Sequence, residues 1–82
     1  MYVKPLRPDL VKYLKKHNLS QKYLKQLKLF SANPRHPSLH TEILQPKDLK
    51  IYSFRIDLHY RAIFIFADIE EVEIVDINPH YE

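Results

Sequence analysis

Midway along the chain the hydrophobic period changes, and that change restricts the fold more than any other feature of the sequence. In the first part, apolar side chains recur three or four residues apart: Leu10, Val11 and Leu14, then Tyr23, Leu24, Leu27 and Phe30. That spacing lines one face of a helix. Later, in IYSFRID, Tyr52, Phe54 and Ile56 alternate with Ser53, Arg55 and Asp57. RAIFIFA is apolar on both faces apart from Arg61, as in a covered central strand, and Val72 to Ile77 is rich in β-branched residues. The order predicts an α+β domain, β-α-α-β-β-β, with two amino-terminal helices packed on one face of a small, mainly antiparallel sheet.

Element ends follow from local chemistry. Val3 to Leu6 is expected as a short edge strand, curtailed by Pro5 and Pro8. Pro8 suits a first helical turn, and this helix should stop near His17-Asn18. Ser20 is the expected N-cap of the second helix, and Asn33-Pro34 closes it, because the residue before proline avoids the helical region. The links DLH and ADIE are short enough for antiparallel hairpins. With no glycine in the chain, any positive φ falls to Asp, Asn or His, which favours open turns over tight primed ones.

Eighty-two residues make a single domain, 1–82, with no internal repeat and no linker. Such a chain buries only ~60% of its extended surface. It has no cysteine, so no disulfide, thiolate ligand or thiol nucleophile is available. No apolar run reaches the ~20 residues that span a bilayer, and MYVKPLRPD lacks the apolar core of a signal peptide. The expected location is the cytoplasm, with no membrane contact.

Charge is divided unevenly. Residues 1–50 hold eleven Lys/Arg against three Asp/Glu, and residues 51–82 hold two Arg against seven acids, giving the overall +3. A basic front half suits a polyanion such as RNA, although lysines at helical spacing are also the ordinary wet face of helices. A three-residue loop over 57–59 sets Ile56 opposite Tyr60 and Arg55 beside Arg61. Both guanidiniums then project from one side, while Tyr52, Phe54, Ile56, Ala62, Phe64 and Phe66 face the helices. Adjacent cations are tolerable around an anion, or if each pairs with a carboxylate such as Asp57 or Asp76.

The passage HPSLHTEIL, 36–44, carries the only carboxylate between Asp9 and Asp48. His36 and His40 have the i, i+4 spacing of a helical zinc site, but Pro37 opposes a helix there, so no metal is expected. Their more natural role is to order the loop or to touch RNA.

HPSLHTEIL, then IYSFRIDLHYRAIFIF, then EVEIVDINPHYE resembles the RelE/ParE superfamily of toxins from bacterial type II toxin–antitoxin pairs. The likeness spans roughly residues 33–82, with the two basic helices in the expected place before it. The ending His80-Tyr81 looks most like the YoeB branch, whose members cut mRNA on the ribosome. The lysine-rich chemistry of the RelE branch does not carry over, since Tyr52 and Phe54 stand where its strand has lysines. The resemblance implies that Glu42 is the catalytic glutamate, Arg61 the phosphate-binding arginine, and His80 and Tyr81 the terminal catalytic pair. Arg55 matches a further basic position, and His36 and His40 are substrate-binding candidates. Implied with it are a cognate acidic antitoxin, a toxin–antitoxin hetero-oligomer, the ribosome and mRNA as partners, and no cofactor. The same fold also serves non-catalytic gyrase inhibitors of the ParE kind and members that only bind RNA or a partner, and these are the alternative expectations.

Overall fold

Proline and asparagine set the limits of the first helix. In the computed structural model, which describes residues 1–79, helix α1 spans Pro8–Lys16, with Pro8 and Asp9 in its first turn and Lys15 and Lys16 in its last. These charges match the helix dipole. Asn18 takes a left-handed conformation at φ 56°. The Leu19 N–H bonds to the Leu14 carbonyl at 2.8 Å and the Asn18 N–H to the Lys15 carbonyl at 3.2 Å. Together these form the paired C-terminal closure that a left-handed residue permits. Leu19, the residue just beyond, is buried.

Helix α2, Ser20–Ala32, follows at once and ends at Asn33, as Pro34 requires. Ser20 is the first helical residue rather than the cap, because the tight closure of α1 leaves Leu19 in that position. The two helices bury Leu10, Leu14, Tyr23, Gln26 and Phe30.

The remaining elements are β1 (Tyr2–Val3), β2 (Glu42–Ile43), β3 (Tyr52–Arg55), β4 (Tyr60–Asp68) and β5 (Glu71–Pro79), in the spatial order β1-β5-β4-β3-β2. All neighbouring pairs are antiparallel except β1 with β5. The first strand lies earlier than Val3 to Leu6. The Lys4 N–H makes its last ladder bond, to the Val72 carbonyl at 2.9 Å, and Pro5 has no N–H to continue. Strand β2 adds a fifth strand to the four expected.

The hairpin register follows the alternation in the sequence: Tyr52 lies opposite Phe64, Phe54 opposite Ala62, and Arg55 opposite Arg61. The Ile56 N–H bonds to the Tyr60 carbonyl at 2.9 Å across the turn. On the helix-facing side Phe30 meets the Phe54 and Phe64 rings, both at centroid distances of 4.9 Å, one stacked and one edge-on. Phe66 lies on that side as expected, its ring 5.3 Å from Tyr52 and 5.9 Å from Phe64, but the helices do not cover it. It is 45% exposed, because the β4–β5 hairpin runs on past the helices and its tip, Ala67 to Glu70, is uncovered.

Without glycine, positive φ falls on Asn18, His40 and Lys50 among the described residues, none of them in the two long hairpins. Asn and His were the expected types and Lys50 was not. The β4–β5 turn is short, with Asp68 paired to Glu71, yet it uses no positive φ and lies next to a register shift between Phe66 and Asp68. A bulge of this kind restores the strand twist that an unprimed turn disturbs.

Candidate active site

The segment between α2 and β2 is wound by its own side chains. Asn33 Oδ1 accepts the Arg35 N–H at 3.0 Å. His36 Nδ1 accepts the Ser38 N–H at 3.2 Å and lies 2.9 Å from Ser38 Oγ. Thr41 Oγ1 donates to the Pro34 carbonyl at 3.0 Å. Pro37–Leu39 forms a single 3-10 turn, and Leu39 plugs into the core, fully buried. His40 then turns left-handed at φ 45° and ψ 49°, which aims its carbonyl at the sheet. His36 therefore orders this loop, as one of its two expected roles required. His40 contributes through its backbone, and its side chain stays exposed.

The loop delivers Glu42 onto the sheet opposite Ser53. Arg55 lies directly opposite Arg61, and Arg61 opposite Asn78 of β5. Cross-strand partners share a face, and Ser53 and Arg55 are two apart on one strand. Glu42, Ser53, Arg55, Arg61 and Asn78 thus occupy the side of the sheet turned away from Phe54, Ala62 and Phe64. Three strands bring one carboxylate and two guanidiniums together.

The two arginines differ in kind. Arg61 is only 5% exposed. Its Nε donates to Ser53 Oγ at 2.8 Å, and its Nη2 donates to the His40 carbonyl and, at 3.4 Å, to the Ser53 carbonyl. No buried side-chain polar atom among the described residues lacks a partner. The second terminal nitrogen, Nη1, makes none of these bonds and is the part left to meet solvent or substrate. Burial pushes the Arg61 pKa down, the Glu42 carboxylate opposes that shift, and the Arg55 cation adds to it. A guanidinium keeps its proton under such pressure, so a permanent positive charge is fixed at the site.

Arg55 is half-buried, and among the described residues its guanidinium forms neither an ion pair nor a hydrogen bond. Neither arginine meets the carboxylates considered as partners. Asp57 pairs with Lys22 at 3.2 Å, and Asp76 accepts the Ile77 N–H at 2.8 Å. Glu42 is exposed and likewise unpaired among the described residues. His80 and Tyr81 lie outside the described residues. Strand β5 is described as far as Pro79, which pairs with Tyr60 beside the arginines.

Two contributors escaped the reading of the sequence. Ser53, fully buried, is the hydroxyl that receives Arg61. Its signal was a small polar residue on the same face as Arg55. Gln26 sits in the buried stripe of α2, three residues after Tyr23 and four before Phe30. Its amide donates to the Arg55 carbonyl at 2.8 Å and to the Ser38 carbonyl at 3.2 Å. One side chain thereby ties the helix, the loop and the end of β3 together. A polar residue at a core-facing helical position was the available clue.

No family model matches the chain. An uncharacterized protein of Haemophilus influenzae is 41% identical over 44 residues, which is 54% of this chain and 43% of that protein. The alignment therefore spans under half the length of that curated relative. Similar solved structures cover nearly the whole chain. A YoeB/ParE toxin from Agrobacterium tumefaciens aligns with a TM-score of 0.72 at 15% identity, over 99% of this chain and 100% of that one. Two structures of the YoeB-YefM toxin–antitoxin complex from Staphylococcus aureus align with TM-scores of 0.68 and 0.69 at 22% and 23% identity, each over 98% of this chain and 94% of theirs. The helical pair and the five-strand sheet thus match the fold of the YoeB/ParE toxins.

Proposed function

We propose that this protein is the toxin of a type II toxin–antitoxin pair and acts as a metal-independent endoribonuclease on mRNA at the ribosome. The observation that carries this reading is the direct opposition of Arg55 and Arg61 on the face that also holds Glu42. Two cations side by side repel each other unless an anion lies between them, and the scissile phosphate of RNA is such an anion.

Glu42 takes the proton from the 2′-OH, and the freed oxygen attacks the adjacent phosphorus. Negative charge grows on the phosphorane and is met by Arg61, held in advance by Ser53 and His40, and by the untethered Arg55. His80 gives its proton to the departing 5′-oxygen. The products are a 2′,3′-cyclic phosphate and a 5′-hydroxyl. A histidine protonated near neutral pH beside phosphate suits the acid role, and Tyr81 suits stacking on an unpaired base. Both roles are carried over from the resemblance at the chain end. His36 and His40, in the loop before Glu42, are carried over as contacts for RNA.

The fold similarity to YoeB-YefM complexes supports an antitoxin partner, and the basic front half supports an acidic one, in a hetero-oligomer of the cytoplasm. The test is cleavage of a ribosome-bound mRNA carrying a single 2′-deoxynucleotide at the cut site. Cleavage should stop at that position and persist in the all-ribose control, whose upstream fragment should end in a cyclic phosphate. Equal cutting of both messages would reject attack by the 2′-OH.

A further inference from the structure

An open cleft of roughly 270 Å³ lies between α2 and the β3–β4 turn, with Lys22, Lys25 and Arg55 around it and Ile56 and Leu58 as apolar wall. Its charge is unbalanced. The one carboxylate in its lining, Asp57, is already engaged. Its Oδ1 accepts the N–H groups of His59 and Tyr60, each at 2.8 Å, and its Oδ2 accepts Lys22 Nζ at 3.2 Å. Lys25 and Arg55 have no ion-pair partner among the described residues.

Gln26, only 8% exposed, fastens α2 to the Arg55 carbonyl at 2.8 Å, so the helix that carries the lysines is tied directly to the strand that carries Arg55. Arg55 also faces Arg61 across the hairpin, so one residue of β3 borders both the cleft and the candidate active site. Leu58, 72% exposed, offers an apolar surface beside these charges.

We infer that this cleft is a second phosphate subsite for single-stranded RNA, in which Lys25 and Lys22 hold the phosphodiester next to the one gripped by Arg55 and Arg61. The inference rests on the reading of the arginine face as an RNA site. Single-stranded RNA presents its charges one linkage apart, and lysines supply point charges on flexible stems that follow such a backbone. Leu58 gives the intervening sugar an apolar rest. The strand would leave the active site along α2.

The experiment measures binding of a fluorescent 2′-O-methyl octanucleotide, which cannot be cut, to the parent, Lys25→Gln and Arg55→Gln across a salt series. A second octanucleotide carries neutral methylphosphonates at every linkage except the central one. Lys25→Gln should weaken the fully charged strand roughly three- to fivefold, as for an exposed ion contact. It should also flatten the log–log salt slope by about 0.7, the value for one single-strand phosphate. With the mostly neutral strand it should bind like the parent, because the phosphate it serves is absent. Arg55→Gln should weaken both strands.

Equal losses for Lys25→Gln on the two strands would place Lys25 at the central phosphate that both retain and would overturn the subsite. An unchanged affinity for the charged strand would also overturn it, while an accompanying loss in Arg55→Gln would leave the proposed arginine-face function standing. If Arg55→Gln changed neither strand, the arginine-face reading would fail and this inference with it. Loss of binding to a polyglutamate peptide with RNA binding intact would mark the cleft as a protein-docking surface and reject the assignment.

Discussion

Arg61 is both a catalytic candidate and a structural tie, and Arg55 is only the former. Removing Arg61 leaves Ser53 Oγ and the His40 carbonyl without their donor in a buried setting. An unsatisfied buried polar group costs about 1–3 kcal/mol. Arg61→Ala should therefore lower stability by about that much in urea unfolding, whereas Arg55→Ala should stay within about 0.5 kcal/mol of the parent. If the two variants unfold alike, the bonds to Ser53 and His40 contribute nothing. The comparison matters for reading activity data, since an inactive Arg61→Ala protein confounds lost chemistry with a loosened loop. Arg61 was legible in the sequence as a cation inside an otherwise apolar strand. Its burial was not, because that depends on His40 turning left-handed thirteen residues before Ser53, which no local pattern reports.

At the scale of elements, Asp57 fixes the β3–β4 turn that sets the two arginines opposite each other. Burial alone would raise its pKa, but the N–H of His59, the Lys22 ammonium and the N–H of Tyr60 outweigh that and hold it below the usual carboxylate range. A depressed folded-state pKa adds stability above the unfolded value, about 4, and that stability drains away as pH falls through the lower folded value. Thermal unfolding between about pH 5 and 2 should therefore show a shallower acid decline in Asp57→Asn, which keeps an acceptor oxygen and loses the charge. Matching slopes in the two proteins would remove Asp57 from the acid limb. The hairpin around this turn was readable from alternation, since a one-residue slip would have sent Phe54 and Arg55 to the wrong faces. Strand β2 was not, because two residues are too few to show a period. Glu42 was identified through resemblance, and its pairing with Ser53 supplies the physical reason for its position.

For the molecule as a whole, the uneven charge has a spatial counterpart. The basic half builds the helices and the loop, and the acidic half builds β4, β5 and the hairpin that runs past them. The RelE/ParE resemblance, drawn from residues 33–82, is borne out in the fold along nearly the full chain. With eleven basic residues in the first fifty, ribosome association should weaken steeply between low and high salt, as counterion release demands. Pelleting that is indifferent to salt would remove electrostatics from the account. An acidic antitoxin covering the same cations should restore growth when co-expressed. If Glu42 is the base beside Arg61 and Arg55, its loss must slow the cut itself. Primer extension on a ribosome-bound message should show the parent cutting and Glu42→Gln, equally stable, cutting at least tenfold more slowly, since general base catalysis contributes ~10²–10⁴. Equal cutting by the two proteins, or growth arrest without any cut message, would contradict it.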